Sequence, residues 1–156
     1  MSLVRWGRGQ EVPGEDPYHT SQYVLHYVSS MQYSSVDPKH LKVSACCKHW
    51  AAYSFENWGG QDRCGFNSIV TSQDLEDTFY HQFETCISPS GAASSGIMCA
   101  YNAINGVPAC ADGELLTDIA RKRWKFNGYI TGDCGAVDCV QNNHHYTNDT
   151  SSTCKV

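Results

Sequence analysis

Five positions in this sequence put polar side chains where chemistry can be done. Asp133 closes the short run Tyr129-Ile130-Thr131-Gly132-Asp133 with a carboxylate. Lys48-His49 follows Ala45-Cys46-Cys47, Tyr101-Asn102 follows Gly96-Ile97-Met98-Cys99-Ala100, and Arg8 and Arg63 lie in Gly-containing segments. An ionised carboxylate can attack an electrophilic carbon and hold it covalently. Fixed cations, an imidazole and a phenol can hold neutral hydroxyls and bind more tightly as charge develops in a transition state. Each residue also has a plainer reading. Asp133 can cap the Gly-containing turn that follows it, Lys48 and Arg63 can be solvated surface charges, and His49 can be a satisfied core histidine. Arg8 can pair with Glu11 or Glu15, and Tyr101 can be a core aromatic.

The elements that must position these groups follow from periodicity. Gly14-Glu15-Asp16-Pro17 reads as a turn opening a helix, whose apolar positions are Tyr23, Val24, Tyr27, Val28 and Met31 and whose end is near Gln32. Glu15 and Asp16 then suit the amino end of that helix better than a role as catalytic acids. Asp37-Pro38 breaks the chain, and Leu41, Val43 and Ala45 alternate, which predicts a strand over 41–47 with Lys48-His49 at its carboxyl end. After a loop over 57–67, Thr71 and Asp74 form a capping pattern ahead of the stripe Leu75, Phe79, Phe83 and Cys86. A loop over 88–95, a strand over 96–100 and a loop over 101–111 come next. Asp112 caps a further helix with the stripe Leu115, Leu116, Ile119, Ala120 and Arg123 with Trp124, and Asn127-Gly128 supplies a left-handed stop before a strand at 129–131. Strand, helix, strand, helix, strand predicts an α/β fold with a parallel sheet, in which sites gather at the carboxyl ends of strands. Beyond Asp138 the chain turns polar and loses its periodicity.

The 156 residues are 41% hydrophobic and 17% charged, enough for one globular domain and too apolar for disorder. The formal charge of −5, without a basic stripe, argues against nucleic acid. No run of 18 apolar residues suggests a membrane span, and Met1-Ser2-Leu3-Val4-Arg5-Trp6 lacks the apolar core of a signal peptide. Nine cysteines, without a Cys-x-x-Cys pair, point to disulfides rather than a metal site and leave at least one thiol unpaired. Asn148-Asp149-Thr150 is a glycosylation sequon, a triplet that is common by chance.

Five ordered stretches resemble glycoside hydrolase family 3, in particular its plant and fungal β-xylosidase and α-arabinofuranosidase branch. They are Arg5-Trp6-Gly7-Arg8-Gly9-Gln10-Glu11-Val12-Pro13-Gly14-Glu15-Asp16-Pro17, Cys47-Lys48-His49-Trp50-Ala51-Ala52-Tyr53, Asp62-Arg63-Cys64-Gly65-Phe66-Asn67, Met98-Cys99-Ala100-Tyr101-Asn102-Ala103-Ile104-Asn105-Gly106-Val107-Pro108 and Gly128-Tyr129-Ile130-Thr131-Gly132-Asp133-Cys134. The likeness covers about residues 5–147. It implies that Asp133 is the nucleophile of a retaining glycosidase and that Arg8, Lys48, His49 and Arg63 hold the sugar's hydroxyls. Tyr101 would donate to the nucleophile. Trp6, Trp50 and Trp58 are either core or sugar-stacking aromatics. A Cys99–Cys110 bridge would rigidify the loop carrying Tyr101, although spacing alone does not fix the pairing.

The resemblance implies residues 1–140 as a middle-to-late part of a (β/α)8 TIM barrel, which takes about 250 residues in full, and 141–156 as a polar, atypical tail. Family members have Asp-Pro before Arg-Trp-Gly-Arg, where this chain has Leu3-Val4. Their acid/base glutamate lies in a second domain that these residues do not include. The expected substrate is a xylan- or arabinan-type oligosaccharide, cut at its non-reducing end, with no cofactor or metal. An extracellular or cell-wall address agrees with the cysteines, and open sheet edges suggest self-association. Two alternatives are a catalytically inactive sugar-binding fragment and a truncated gene product.

Overall fold

Asp16 and Pro17 start the first helix as their chemistry requires. The Asp16 carboxylate accepts from the His19 amide at 3.0 Å, and Pro17 takes the first helical position, where a missing N–H goes unneeded. The computed structural model describes residues 6–155, so the Leu3-Val4 departure lies outside the described residues. Helix α1 runs Pro17–Gln32, as expected.

The central sheet has three parallel strands in the order β1 (Cys46–Trp50), β5 (Gly96–Cys99) and β8 (Tyr129–Gly132). Between β1 and β5 lie the two-residue strands β2 (Asn57–Trp58), β3 (Gln61–Asp62) and β4 (Asn67–Ser68), then α2 (Ser72–Asp74), a π-helical stretch Leu75–Tyr80 and α3 (His81–Ile87). Between β5 and β8 lie β6 (Ala103–Ile104), β7 (Val107–Pro108) and a π-helical stretch Glu114–Arg123. The regions read as loops thus contain short strands: β2 pairs antiparallel with β3, and β6 joins β4 in parallel and β7 antiparallel.

The first strand departs from expectation. Leu41 and Val43 alternate like strand residues but are 46% and 45% exposed, and pairing with β5 begins only at Cys46↔Gly96. Residues 41–44 instead strap the end of α1, with the Lys42 amide donating to Gln32 O at 2.8 Å and Lys42 Nζ to Ser30 O at 2.6 Å. Lys48 and His49 therefore lie within the strand, not beyond it. The Lys48–His49 and Trp50–Ala51 peptide bonds are cis.

Both crossovers begin with the expected caps. Thr71 Oγ1 accepts from the Asp74 amide at 3.1 Å, while the Asp74 carboxylate takes the Thr71 hydroxyl instead of returning a bond to its amide. Asp112 Oδ1 accepts from the Leu115 amide at 3.1 Å. Leu115, Ile119 and Ala120 are buried as predicted, but Arg123 is exposed and paired with Glu76 at 2.5 and 2.8 Å, since a guanidinium gains more from a carboxylate than from the core. The left-handed residue after this helix is Lys125, at φ 59°. Gly128 is needed for a different reason: a Cβ there would lie 2.1 Å from Ser95 O.

Trp50 is fully buried, its ring centroid 4.9, 5.0 and 5.1 Å from Tyr80, Phe83 and Trp124, so it belongs to the core that joins sheet to helices. Trp58 is 81% exposed on the β2–β3 hairpin. Disulfides join Cys47 to Cys86, Cys64 to Cys139 and, as suggested, Cys99 to Cys110, while Cys46, Cys134 and Cys154 are free. The loss of periodicity after Asp138 is also corrected. Helix α4 spans Ala136–Asn142 with Ala136, Cys139 and Val140 buried, and α5 spans Thr150–Thr153 under an Asp149 cap. Helix α4 is anchored by a disulfide to Cys64, 75 residues away in sequence, and α5 has four residues, so no apolar stripe reveals either.

One buried side chain sets the start of the sheet. Gln32 Oε1 accepts from the Ala45 amide at 3.1 Å, the Ser95 amide at 2.8 Å and the Ser95 hydroxyl at 2.7 Å, and its Nε2 donates to Ala93 O at 3.1 Å. It thereby fastens the end of α1 to the entries of β1 and β5. Replacing Gln32 with Leu keeps the volume and strands these donors, so a loss of about 1–3 kcal/mol for each unmatched buried group is expected in urea unfolding. A loss below about 0.5 kcal/mol, the range of ordinary surface changes, would show that water replaces the amide.

Candidate active site

Parallel pairing brings the chemistry-bearing ends together. In the register Trp50↔Cys99↔Gly132, His49 precedes and Asp133 follows one row across the sheet. His49 Nε2 lies 3.1 Å from Asp133 Oδ2, with the imidazole 3% and the carboxylate side chain 15% exposed. Asp133 Oδ1 accepts from the Cys134 amide at 2.7 Å, and the Asp133 carbonyl accepts from Ala136 N at 2.9 Å. The carboxylate thus caps its own turn while facing the imidazole.

His49 Nε2 has a second neighbour, Arg8 Nη2 at 3.1 Å. One ring nitrogen cannot accept from a guanidinium and donate to a carboxylate at once, so the tautomer decides which contact is a hydrogen bond. Burial, with Arg8 and then Lys48 nearby, lowers the His49 pKa to about 4, and Asp133 and Glu11 oppose that shift less strongly. The ring is neutral at pH 7.

Of the alternatives for Arg8, Glu11 is the partner. Arg8 Nε and Nη2 reach its two oxygens at 2.8 and 2.9 Å, and Lys48 Nζ adds a contact at 3.0 Å. The bond from Arg8 leads, with Lys48 adding, in holding the Glu11 pKa at about 2, while the same pairing raises that of Arg8. Lys48 is 43% exposed at its side chain and gives its ammonium to Glu11, which reaches Asp133 only through Arg8 and His49. Arg63 Cζ lies 4.2 Å from the centre of the Tyr101 ring, and its Nη1 lies 3.6 Å from Glu56 Oε2. The Tyr101 hydroxyl donates to Cys134 O at 2.9 Å. The hydroxyl also faces Asp133: burial first, and the hydrogen bond to Asp133 second, raise the Tyr101 pKa.

Sequence reasoning missed three members. Tyr53 is the hub, with its ring 5.1 Å from His49, 5.4 Å from Trp6 and 5.8 Å from Tyr101, and its hydroxyl 3.4 Å from Arg8 Nη1. Burial and then Glu56 push its pKa up to about 12. Glu56 accepts from Trp6 Nε1 at 2.9 Å and lies between Arg8 and Arg63, at 3.8 and 3.6 Å. A signal for it existed, because Glu56 is the single charged residue between His49 and Asp62. Glu11 was weighed only as a partner for Arg8. Trp6 is buried here, and Asn102 is buried too, its Nδ2 donating to Ala51 O at 3.2 Å and so bracing the turn after β1.

A cavity of about 180 Å³ lies beside this cluster, between β1, α1 and α3, and takes in Trp6, Glu11, Lys48, His49 and Tyr53. Asp133, Arg63 and Tyr101 do not line it, so it opens behind the imidazole rather than over the carboxylate. The arrangement as a whole sets a carboxylate against a neutral imidazole, with a guanidinium beside the imidazole and a second over the Tyr101 ring.

Known proteins share this arrangement of sequence and fold. Residues 2–155 match the glycosyl hydrolase family 3 N terminal domain. A β-xylosidase/α-L-arabinofuranosidase of Medicago sativa subsp. varia is 49% identical over 144 residues, covering 92% of this chain and 18% of that protein. A β-D-xylosidase of Arabidopsis thaliana is 50% identical over 143 residues, with the same coverage, 92% and 18%. Among solved structures, a family 3 exo-β-xylosidase in complex with a xylobiose aziridine activity-based probe superposes with a TM-score of 0.89 at 40% identity, over 96% of this chain and 19% of that one. A β-glucosidase of Listeria innocua in complex with isofagomine gives 0.81 at 28%, over 97% and 21%. The chain spans about a fifth of the length of these relatives. With the family model matched from residue 2 to residue 155, the chain belongs to glycoside hydrolase family 3.

Proposed function

We propose that this chain carries the nucleophile of a retaining glycosidase, Asp133, together with side chains that hold the sugar beside it. The 3.1 Å approach of Asp133 to His49 at the end of a parallel sheet carries the reading, in a chain about half identical to plant β-xylosidases. The substrates are oligosaccharides of xylan or arabinan type, from whose non-reducing ends xylose or arabinose is released. The Asp133 carboxylate attacks the anomeric carbon, the bond to the leaving oxygen breaks, and water later cleaves the glycosyl ester. Arg8, Lys48, His49 and Arg63 bind the hydroxyls, and Tyr101 steadies the turn after Asp133 through Cys134 O.

The proton for the leaving group must come from a carboxyl with a raised pKa. Glu11, held at about 2, is unsuited to that task, which supports a donor outside this chain. The three parallel strands are, in this reading, a sector of an eight-stranded barrel formed by residues 1–140, with 141–156 at its margin. Three disulfides support an extracellular or cell-wall address. The outer edges of β1 and β8 favour association with further strands.

The direct test restores the neighbouring barrel and second domain, then replaces Asp133 with Ala. Turnover of an aryl xyloside should fall roughly 10⁴-fold or more, and an undiminished rate would remove Asp133 from the chemistry. The chain by itself should hydrolyse the same substrate about 10²- to 10⁴-fold more slowly than the restored protein, as loss of a general acid requires. Equal rates would place the acid within it.

A second reading, sugar binding without hydrolysis, is favoured by Arg8, Lys48, His49 and Arg63 standing together while Glu11 cannot act as the acid. Calorimetry with xylobiose decides it: heat at millimolar ligand is expected, and none would reject binding by this chain.

The state of His49 gives a pH prediction. Folded His49 stays neutral down to about pH 4, whereas an unfolded histidine takes its proton near 6.5, so the unfolded chain binds more protons between those values. The His49 contribution to stability is whole above pH 6.5 and is lost as pH falls towards 4. Ring resonances of His49 should titrate near 4, and Asp133→Asn, by removing a counter-charge, should lower that midpoint further. A midpoint near 6.5 would contradict the buried contact.

A further inference from the structure

We propose that Asn148 carries an N-linked oligosaccharide whose first N-acetylglucosamine packs on the exposed ring of Tyr146. Asn148-Asp149-Thr150 is the only Asn-x-Ser/Thr triplet in the sequence, and its middle residue is not proline. A triplet of this kind is weak evidence by itself, and the structure adds three independent facts.

The first is accessibility. Asn148, Asp149 and Thr150 are all exposed, the first two in a bend and Thr150 as the first residue of α5. The backbone around the bend is fixed: Asp149 Oδ1 accepts from the Ser152 amide at 2.9 Å, and the Asp149 carbonyl accepts from the Thr153 amide at 3.0 Å. A large substituent on Asn148 Nδ2 can therefore extend into solvent without unpicking a cap.

The second is compartment. Six of the nine cysteines are paired in three disulfides, one of which anchors α4 through Cys139, nine residues before Asn148. Disulfides form where secretory proteins fold, which is also where oligosaccharide is transferred to asparagine. The third is an unshielded aromatic. Tyr146, two residues before Asn148, is 46% exposed, and its amide is fixed to Val140 O at 3.0 Å. The C–H face of a pyranose covers such a ring favourably, because aromatic rings bury large apolar area.

The chemistry is a glycosyl transfer from a lipid-diphosphate oligosaccharide. A bond forms between Asn148 Nδ2 and C1 of the terminal N-acetylglucosamine, and the C1–O bond to the diphosphate breaks. The lipid diphosphate departs with the bonding electrons, and one amide proton passes to solvent through the transferase. No redox change occurs. This inference does not depend on the glycosidase reading.

The test expresses the full chain behind a cleavable secretion signal in a eukaryotic host and scores cell-associated and secreted protein together, since transfer precedes completion of folding. The expected result is a single glycan, removed by a peptide amidase that leaves Asp at position 148. It should be absent from N148Q and T150A and present in T150S. Unmodified Asn148 in chain whose disulfides have formed overturns the proposal. For the ring contact, the unfolding midpoint should drop by about 2–4 °C when the glycan is trimmed off, a scale set by chain length, and Y146A should abolish that difference. An identical midpoint with and without the glycan refutes the packing on Tyr146.

Discussion

A contact of 3.1 Å between an imidazole nitrogen in β1 and a carboxylate oxygen just past β8 constrains most of this chain. The two strands are not neighbours, for β5 lies between them and adjacent strands are about 4.8 Å apart. Only one register serves: a slip of one residue turns every side chain of a strand to the opposite face. The register is held at one end by Gln32, which binds the entries of β1 and β5. Cys47–Cys86 also fixes the start of β1 to α3, and at the other end Cys99–Cys110 ties β5 to the loop that follows it. Trp50, packed against Tyr80, Phe83 and Trp124, keeps the sheet on its helical layer.

Charge around His49 is arranged by carboxylates other than Asp133. Glu11 engages Arg8 and Lys48, and Glu56 sits between Arg8 and Arg63 while accepting from Trp6. Cations so tied are already oriented when a ligand arrives, which lowers the ordering cost of binding. His49 is kept neutral in the same field and can direct its single ring proton to Asp133 or receive one from Arg8. A neutral partner holds the lone pairs of the Asp133 carboxylate less tightly than an imidazolium would.

The parts of this structure legible in the sequence are those set by short-range chemistry. Asp16 and Pro17 fix the start of α1, Thr71 and Asp112 announce the crossovers, and alternating strand and helix signals predict the parallel order. Asp133, Arg8, Lys48, His49, Arg63 and Tyr101 are expected at one site; the structure sets Arg8, His49 and Tyr101 around Tyr53, Asp133 against His49 and Arg63 over Tyr101, and gives Lys48 to Glu11. What escaped depends on partners far away in the chain. Leu41 and Val43 alternate with no strand to meet, Arg123 prefers Glu76, 47 residues distant, to an apolar face, and Glu56 matters only once Trp6 and Arg63 converge on it. The donation from Tyr101 to Cys134 O is a matter of side-chain reach, which spacing does not encode.

The claim on which the whole account rests is that Asp133 forms the glycosyl–enzyme bond. A xylose-configured aziridine probe, applied to the protein with its second domain restored, should leave one covalent adduct on the peptide containing Asp133, at its carboxylate, by tandem mass spectrometry. An adduct on Glu11 or Glu56, or turnover of an aryl xyloside that continues after complete labelling of Asp133, would contradict it.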